Sequence, residues 1–191
     1  MVTHKNKKKN FRKNRSKKQR GGVKTPGFTE YDEFRKVIDS GIVQDVIDTI
    51  EYNNIDINQT IIQDVFIFDE DTALMYAYRE EKYDIAYLLL KEGADVNIRG
   101  KDNYTILMKC IQKYIQSNGN AEQDYMMNKV FESGADVNAV NNYGQTPFMI
   151  AARAAAEYET AWKPEDEPYI EYGRYMNIAS EVVKLLIEKY E

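Results

Sequence analysis

Gly93-Ala94-Asp95-Val96-Asn97 recurs letter for letter as Gly134-Ala135-Asp136-Val137-Asn138, and the way the chain folds is read outward from that recurrence. A second segment, Thr-x-(Leu/Phe)-Met, begins three times, at Thr72, Thr105 and Thr146. From Thr72 to Thr105 the step is about 33 residues, inside the range of periods that mark repeat architectures. In both complete copies the closing Asn lies eight positions before the next Thr. A phase kept across two separate junctions is the mark of stacked repeats, in which one small unit recurs and each copy covers the apolar face of its neighbour.

Each copy reads as a pair of helices. The Thr at the entry can accept a hydrogen bond from an orphan backbone N–H of the first turn, and Pro147 sits at a first helical position, where its missing N–H costs nothing. In the second helix Ile85, Ala86, Leu88, Leu89 and Leu90 make a broad apolar face, and Gly93 follows as a left-handed stop, a device that Gly134 repeats. With these residues in view, the sequence resembles the ankyrin-repeat family over roughly residues 30–191. Thr72-Ala73-Leu74-Met75-Tyr76-Ala77 is similar to the family's Thr-Pro-Leu-His opening, as is Thr146-Pro147-Phe148-Met149-Ile150-Ala151-Ala152, and Leu88-Leu89-Leu90 precedes Gly93 at the family's spacing. The resemblance implies an all-α ankyrin-repeat solenoid, with stacked helix-turn-helix units and β-turn fingers, in about four repeats near 30–58, 68–100, 101–141 and 142–191. Met75, Met108 and Met149 stand where the family has histidine. A thioether cannot make the hydrogen bonds of an imidazole, but it fills an apolar gap and suits a helix.

The outer repeats depart from this pattern. Tyr31 to Ser40 and Ile42 to Tyr52 read as two helices parted by Gly41, closed by Asp56-Ile57-Asn58 and expected to form an N-terminal cap. The connection from Asn58 to Thr72 exceeds the usual eight positions by six, and its Val65-Phe66-Ile67-Phe68 run predicts a finger that pairs, packs or binds. The third repeat, from Thr105 to Thr146, is longer than the second by eight, and the extra positions are expected around Ser117-Asn118-Gly119-Asn120 as a longer inter-helix loop. In the last repeat the helix around Val182 to Ile187 arrives late, which places an insertion near 157–179 holding Trp162, Pro164, Pro168 and four tyrosines.

Charge divides the chain. Eleven of the 26 basic residues lie within residues 1–24 and the first acid is Glu30, so the remaining 15 face all 31 acids and residues 25–191 carry a formal charge near −16. The basic run comprises Lys5, Lys7, Lys8, Lys9, Arg12, Lys13, Arg15, Lys17, Lys18 and Arg20 within an expected disordered tail, 1–29. Such a block suits an import signal read by a nuclear import receptor, a nonspecific RNA or DNA anchor, or a patch for a membrane surface. Import is expected first, with a solubilising tail or one that folds back on the acidic body as the plainer alternative. Gly21-Gly22 and Pro26-Gly27 supply a flexible joint. A single cysteine, no apolar run near the ~20 residues of a membrane span, and no secretory leader predict an intracellular protein, cytoplasmic or nuclear.

Catalytic chemistry finds little footing. The only histidine, His4, lies in the tail, and one Cys with one His are too few for a zinc site. Phosphate-cradling glycine loops are absent. Cys110 is expected as a buried apolar side chain, and the acids Asp69-Glu70-Asp71 as helix-favouring charge ahead of Thr72. No enzyme activity, metal or cofactor is expected. What the resemblance implies instead is a protein-protein interaction module or adaptor, which grips a protein partner with finger tips and first helices. Carried over position by position, it puts the contacts at Phe68, Asp69, Asp71, Arg79 and Glu80 in the second repeat. The third repeat contributes Arg99, Lys101, Asp102, Tyr104, Gln112 and Lys113, and the fourth Asn142, Tyr143, Gln145 and Arg153. The alternative makes the tail a nucleic-acid binder, with the acidic solenoid as its regulatory or oligomerisation domain.

Overall fold

The computed structural model describes residues 28–62, 70–117, 119–161, 180 and 182–188. The chain divides into two compact units, Met1–Asp56 and Ile57–Glu191. In the first, helix α1 (Phe28–Ser40) packs on α2 (Val43–Asn53) through a turn at Gly41, whose φ of +72° places it in the left-handed region. Phe34, Ile38, Val46 and Ile55 are its buried apolar residues among those described. Asn54, also left-handed, closes α2 by donating its N–H to Ile50 O.

The second unit opens with the long finger, which forms an antiparallel hairpin of β1 (Thr60–Ile62) and β2 (Glu70–Thr72), with Thr60 opposite Thr72 and Ile62 opposite Glu70. The Val65-Phe66-Ile67-Phe68 run lies outside the described residues. Helices α3 (Ala73–Arg79) and α4 (Tyr83–Lys91) follow, then a finger with a short 3-10 turn at Lys101–Asn103, then α5 (Ile106–Gln116), α6 (Ala121–Glu132) and α7 (Pro147–Ala161). A last helical stretch covers 182–188. The inner helices stack in order, α5 on α3 and α7 on α5, while the outer helix α6 stacks on α4. This is the all-α solenoid that the resemblance implied. Among the described residues, no helix is long and apolar enough to cross a membrane.

Local chemistry explains the starts and stops. Thr72, Thr105 and Thr146 each accept a hydrogen bond from the backbone N–H three residues on, at Met75, Met108 and Met149, over 3.3, 3.4 and 3.3 Å. Gly93 and Gly134 turn left-handed, at φ of +89° and +84°, and donate their N–H groups to Leu90 O and Phe131 O. The eight extra residues of the third repeat do not make a long loop. Compared with the second repeat, α5 is four residues longer than α3, α6 three longer than α4, and the connecting segment one longer. The reason is apolar periodicity: Leu107, Cys110 and Ile111 continue to Ile115 on one buried face, so the helix runs on until Asn120 caps the next.

Side chains of the repeated motif then tie the repeats together. Asn58 Oδ1 accepts the Asp95 N–H at 2.8 Å, and Asn97 Oδ1 accepts the Asp136 N–H at 2.7 Å while its amide donates to Gly134 O at 3.0 Å. Each Asp in turn accepts the N–H of the motif's own Asn, Asp95 from Asn97 and Asp136 from Asn138. The five-residue signature is therefore both a helix stop and a rung between repeats.

Candidate partner-binding surface

The inner helices and fingers carry polar and aromatic side chains in two groups, the first of them built on the inner helices. At its base lies Asp71, the middle residue of β2, whose side chain is 1% exposed. Its Oδ2 pairs with Arg79 Nη1 at 2.9 Å and its Oδ1 with Lys109 Nζ at 2.8 Å. A carboxylate that deep needs such partners, because desolvating it alone would cost far more than the pairs return. Asp71 was expected on the contact surface; it is instead an internal tie between the hairpin, α3 and α5, and its side chain is closed to a partner. The cause is that β2 packs on α3, turning the middle strand position inward.

Arg79 is held from three sides. Besides Asp71, it meets Glu80 at 3.1 Å, and its guanidinium lies 5.1 Å from the Tyr76 ring centroid. Lys113, on α5, donates to Arg79 O at 3.1 Å at the end of α3, and its ammonium pairs with Glu81 at 3.0 Å. It thus caps the carbonyl end of the neighbouring helix, where a cation is favoured. Lys109 was not among the expected residues. The signal for it is its place four residues before Lys113, on the same face of α5.

The two later fingers are locked to each other. Lys101-Asp102-Asn103-Tyr104 form a turn in which Asp102 and Asn103 both have positive φ, +55° and +60°, and the Tyr104 N–H returns to Lys101 O at 3.1 Å. The Asn142 N–H donates to Asp102 O at 2.9 Å, and the Asn103 amide donates to Asn142 Oδ1 at 2.7 Å. Arg99 donates to Val140 O across the same gap. Within the last finger, Asn141 is 4% exposed and its Oδ1 accepts the N–H groups of Tyr143 and Gln145. What this scaffold presents outward is Lys101, Asn142, Arg153 and Tyr143, the last 65% exposed, with Tyr104, Gln112, Asp102 and Gln145 half-buried beside them. Phe68, Asp69 and the ten basic tail residues lie outside the described residues.

Cys110 is fully buried on α5, as its helical position suggested. Burial pushes its thiol up to about 12, more than the neighbouring Tyr78 hydroxyl and Lys113 draw it back. Tyr78, also buried, is raised well above the ordinary tyrosine range, first by burial and then by Cys110 and Tyr83. A thiol so protonated is no nucleophile at neutral pH.

Three comparisons bear on this geometry. A family model described as the ankyrin repeat matches residues 69–101, from the finger through α3 and α4 to the start of the next turn. Sequence comparison with curated proteins gives no match. Among solved structures, the ankyrin repeat domain of Bcl-3, described as a unique member of the IkappaB protein family, superposes with a TM-score of 0.52 at 18% identity. That match covers 77% of this chain and 50% of the other, so the chain spans about half the length of that structure.

Proposed function

From an ankyrin repeat matched at residues 69–101 and the fold of an ankyrin-repeat solenoid, we propose that the chain works as a non-catalytic protein-binding module or adaptor, holding a protein partner against the fingers and inner helices of its second to fourth repeats. The observation that carries this reading is the pairing of rigidity with exposure at the last two fingers. Hydrogen bonds from Asn142 to Asp102 and from Asn103 to Asn142 hold the backbones together, while Tyr143 remains 65% exposed. An aromatic side chain presented on a fixed backbone loses little entropy on binding and brings a large contact area, which is how protein interfaces use tyrosine. The contact set is Tyr104 and Tyr143, with Arg99, Lys101, Asp102, Gln112, Asn142, Gln145 and Arg153 around them. Arg79, Glu80 and Lys113 line the same helices but are already engaged with one another and with Asp71. Phe68 and Asp69, which precede β2 in the sequence, complete the proposed set.

The basic tail supports a second role, in localisation, because eleven basic residues without an acid bind polyanions or an import receptor by charge alone. Affinity capture after nuclease treatment, with the full chain and with residues 30–191 at two salt concentrations, separates the two. The module reading expects the same salt-resistant protein on both, released by Tyr104→Ala together with Tyr143→Ala. Capture by the full chain only, abolished by nuclease or salt, would make the tail the working element and sink the module reading.

A further inference from the structure

Two pairs of tyrosine rings are in contact among the described residues, and the fold treats them oppositely. Tyr78 is buried at 1% exposure, and Tyr83 meets it edge to face, with ring centroids 5.8 Å apart at 68°. Tyr87 on α4 and Tyr125 on α6 are 41% and 52% exposed, and they meet where these outer helices stack. Their ring centroids lie 5.7 Å apart at an interplanar angle of 44°. Both helices bury their other face, through Ile85, Ala86 and Leu89 on α4 and Met126, Met127 and Val130 on α6, so the backbones that carry the two rings are fixed. Lys129, one turn beyond Tyr125, lies 5.4 Å from that ring's centroid and pairs with Glu132. The Tyr125 hydroxyl is raised above the ordinary tyrosine range, first by hydrogen bonding with Tyr87, which places the hydroxyl ends of the two rings together.

We propose that Tyr87 and Tyr125 form an oxidative cross-linking site, at which a haem peroxidase with hydrogen peroxide joins the two rings as dityrosine and staples the second repeat to the third. Each hydroxyl gives up one electron and its proton, leaving a phenoxyl radical whose unpaired electron is shared with the ring carbons ortho to the oxygen. A carbon–carbon bond forms between one ortho carbon of each ring, and the hydrogens on those two carbons move to the oxygens as the rings regain aromaticity. The pair has then lost two hydrogens, and one hydrogen peroxide has become two waters. Geometry selects these residues. The ortho carbons flank the hydroxyls, so the atoms that must join lie at the ends the two rings already bring together. A radical held beside its partner in a fixed frame meets it far more often than it meets a second protein at low concentration. Exposure leaves both rings open to the oxidant, which the burial of Tyr78 denies to the other pair. The single thiol, Cys110, is fully buried and offers no accessible group to quench the radical first. This site is independent of the partner-binding reading, because neither tyrosine is among its contacts.

Treatment of the full chain at low micromolar concentration with peroxidase and hydrogen peroxide, followed by isolation of the monomer and peptide mapping, tests the site. The proteins are the natural sequence, Tyr87→Phe and Tyr125→Phe, and the natural sequence is also oxidised in urea. The folded natural protein should give a monomer with dityrosine fluorescence and a linked pair of peptides, one holding Tyr87 and the other Tyr125, lighter than their sum by two hydrogens. Either Phe variant should lower dityrosine in the monomer by about tenfold or more, since the remaining phenols must diffuse together before they couple. In urea the link between Tyr87 and Tyr125 should fall to the level of other tyrosine pairs, while dityrosine between copies still forms. A different pair as the main link within the folded monomer overturns the proposal. So does dityrosine found only between copies, a Phe variant that keeps the natural yield, or a Tyr87–Tyr125 link formed equally well in urea.

Discussion

Asp71 places its carboxylate at 1% exposure, with Arg79 and Lys109 at 33% and 24% side-chain exposure closing over it. Removing one member of a buried ion pair strands the others, which costs ~3–5 kcal/mol where all are deep. Here both cations can turn toward water, so Asp71→Ala should lose about 2 to 3 kcal/mol in urea unfolding. The exposed pair of Lys129 and Glu132 supplies the contrast: Glu132→Ala should change stability by less than about 0.5 kcal/mol. Equal losses in the two variants would mean that Asp71 is not the tie described. Its sequence neighbourhood, Asp69-Glu70-Asp71, reads as surface acid, and nothing local marks the middle strand position for burial. The partners that make burial tolerable come from further along the chain, Arg79 from the end of the helix that follows and Lys109 from the inner helix of the next repeat.

At the scale of elements, one motif occurs twice with two different duties. Asn97 joins the end of its repeat to the next, accepting from Asp136 and donating to Gly134. Asn138 holds the same motif position, yet its side chain makes no such bond among the described residues. Two partly exposed hydrogen bonds are worth about 1 to 2 kcal/mol together, so Asn97→Ala should destabilise by that amount and Asn138→Ala by a few tenths. Denaturant titration of the pair reads the difference directly; equal effects would place the value of the motif in its own turn and not in the rung. The same scale explains the third repeat. Its additional residues read as a loop when the Ser-Asn-Gly-Asn segment is weighed alone, but they lengthen α5 and α6 because the apolar face that α7 and α4 cover continues through them.

For the whole molecule, the buried hydroxyl and thiol at the junction of the second and third repeats link stability to alkaline pH. Cys110 keeps its proton to about 12 in the folded state, against about 9 for an ordinary thiol. The unfolded chain therefore releases that proton first, and stability that is complete below pH 9 is lost as pH rises toward 12, at up to about 1.4 kcal/mol per pH unit. Tyr78 acts in the same direction from its own ordinary value of 10 upward. Unfolding free energies measured between neutral and alkaline pH should fall less steeply in Cys110→Ala than in the natural sequence, after allowance for a lower starting stability from the lost packing. Parallel curves would remove Cys110 from the linkage. Tyr78 lies on α3 and Cys110 on α5, two inner helices that pack on each other, so their loss is felt in both repeats and not only at one helix.

The sequence by itself determined the repeat, its phase, and the starts and stops marked by a threonine or a glycine, though not the length of α5 and α6. These are set by contacts within three or four residues: Thr105 reaching the Met108 N–H, and Gly134 taking a φ that side chains avoid. It also placed Cys110 inside, from its position in the family pattern and the apolar habit of a free thiol. Only the tertiary structure decided that the long finger is a hairpin, that Asp71 is buried, that Lys113 caps α3, and that Tyr87 meets Tyr125 across two repeats. Each of those outcomes depends on what a neighbouring element brings to the residue. In a stack of near-identical units, a residue's type repeats along the chain, but its neighbour does not.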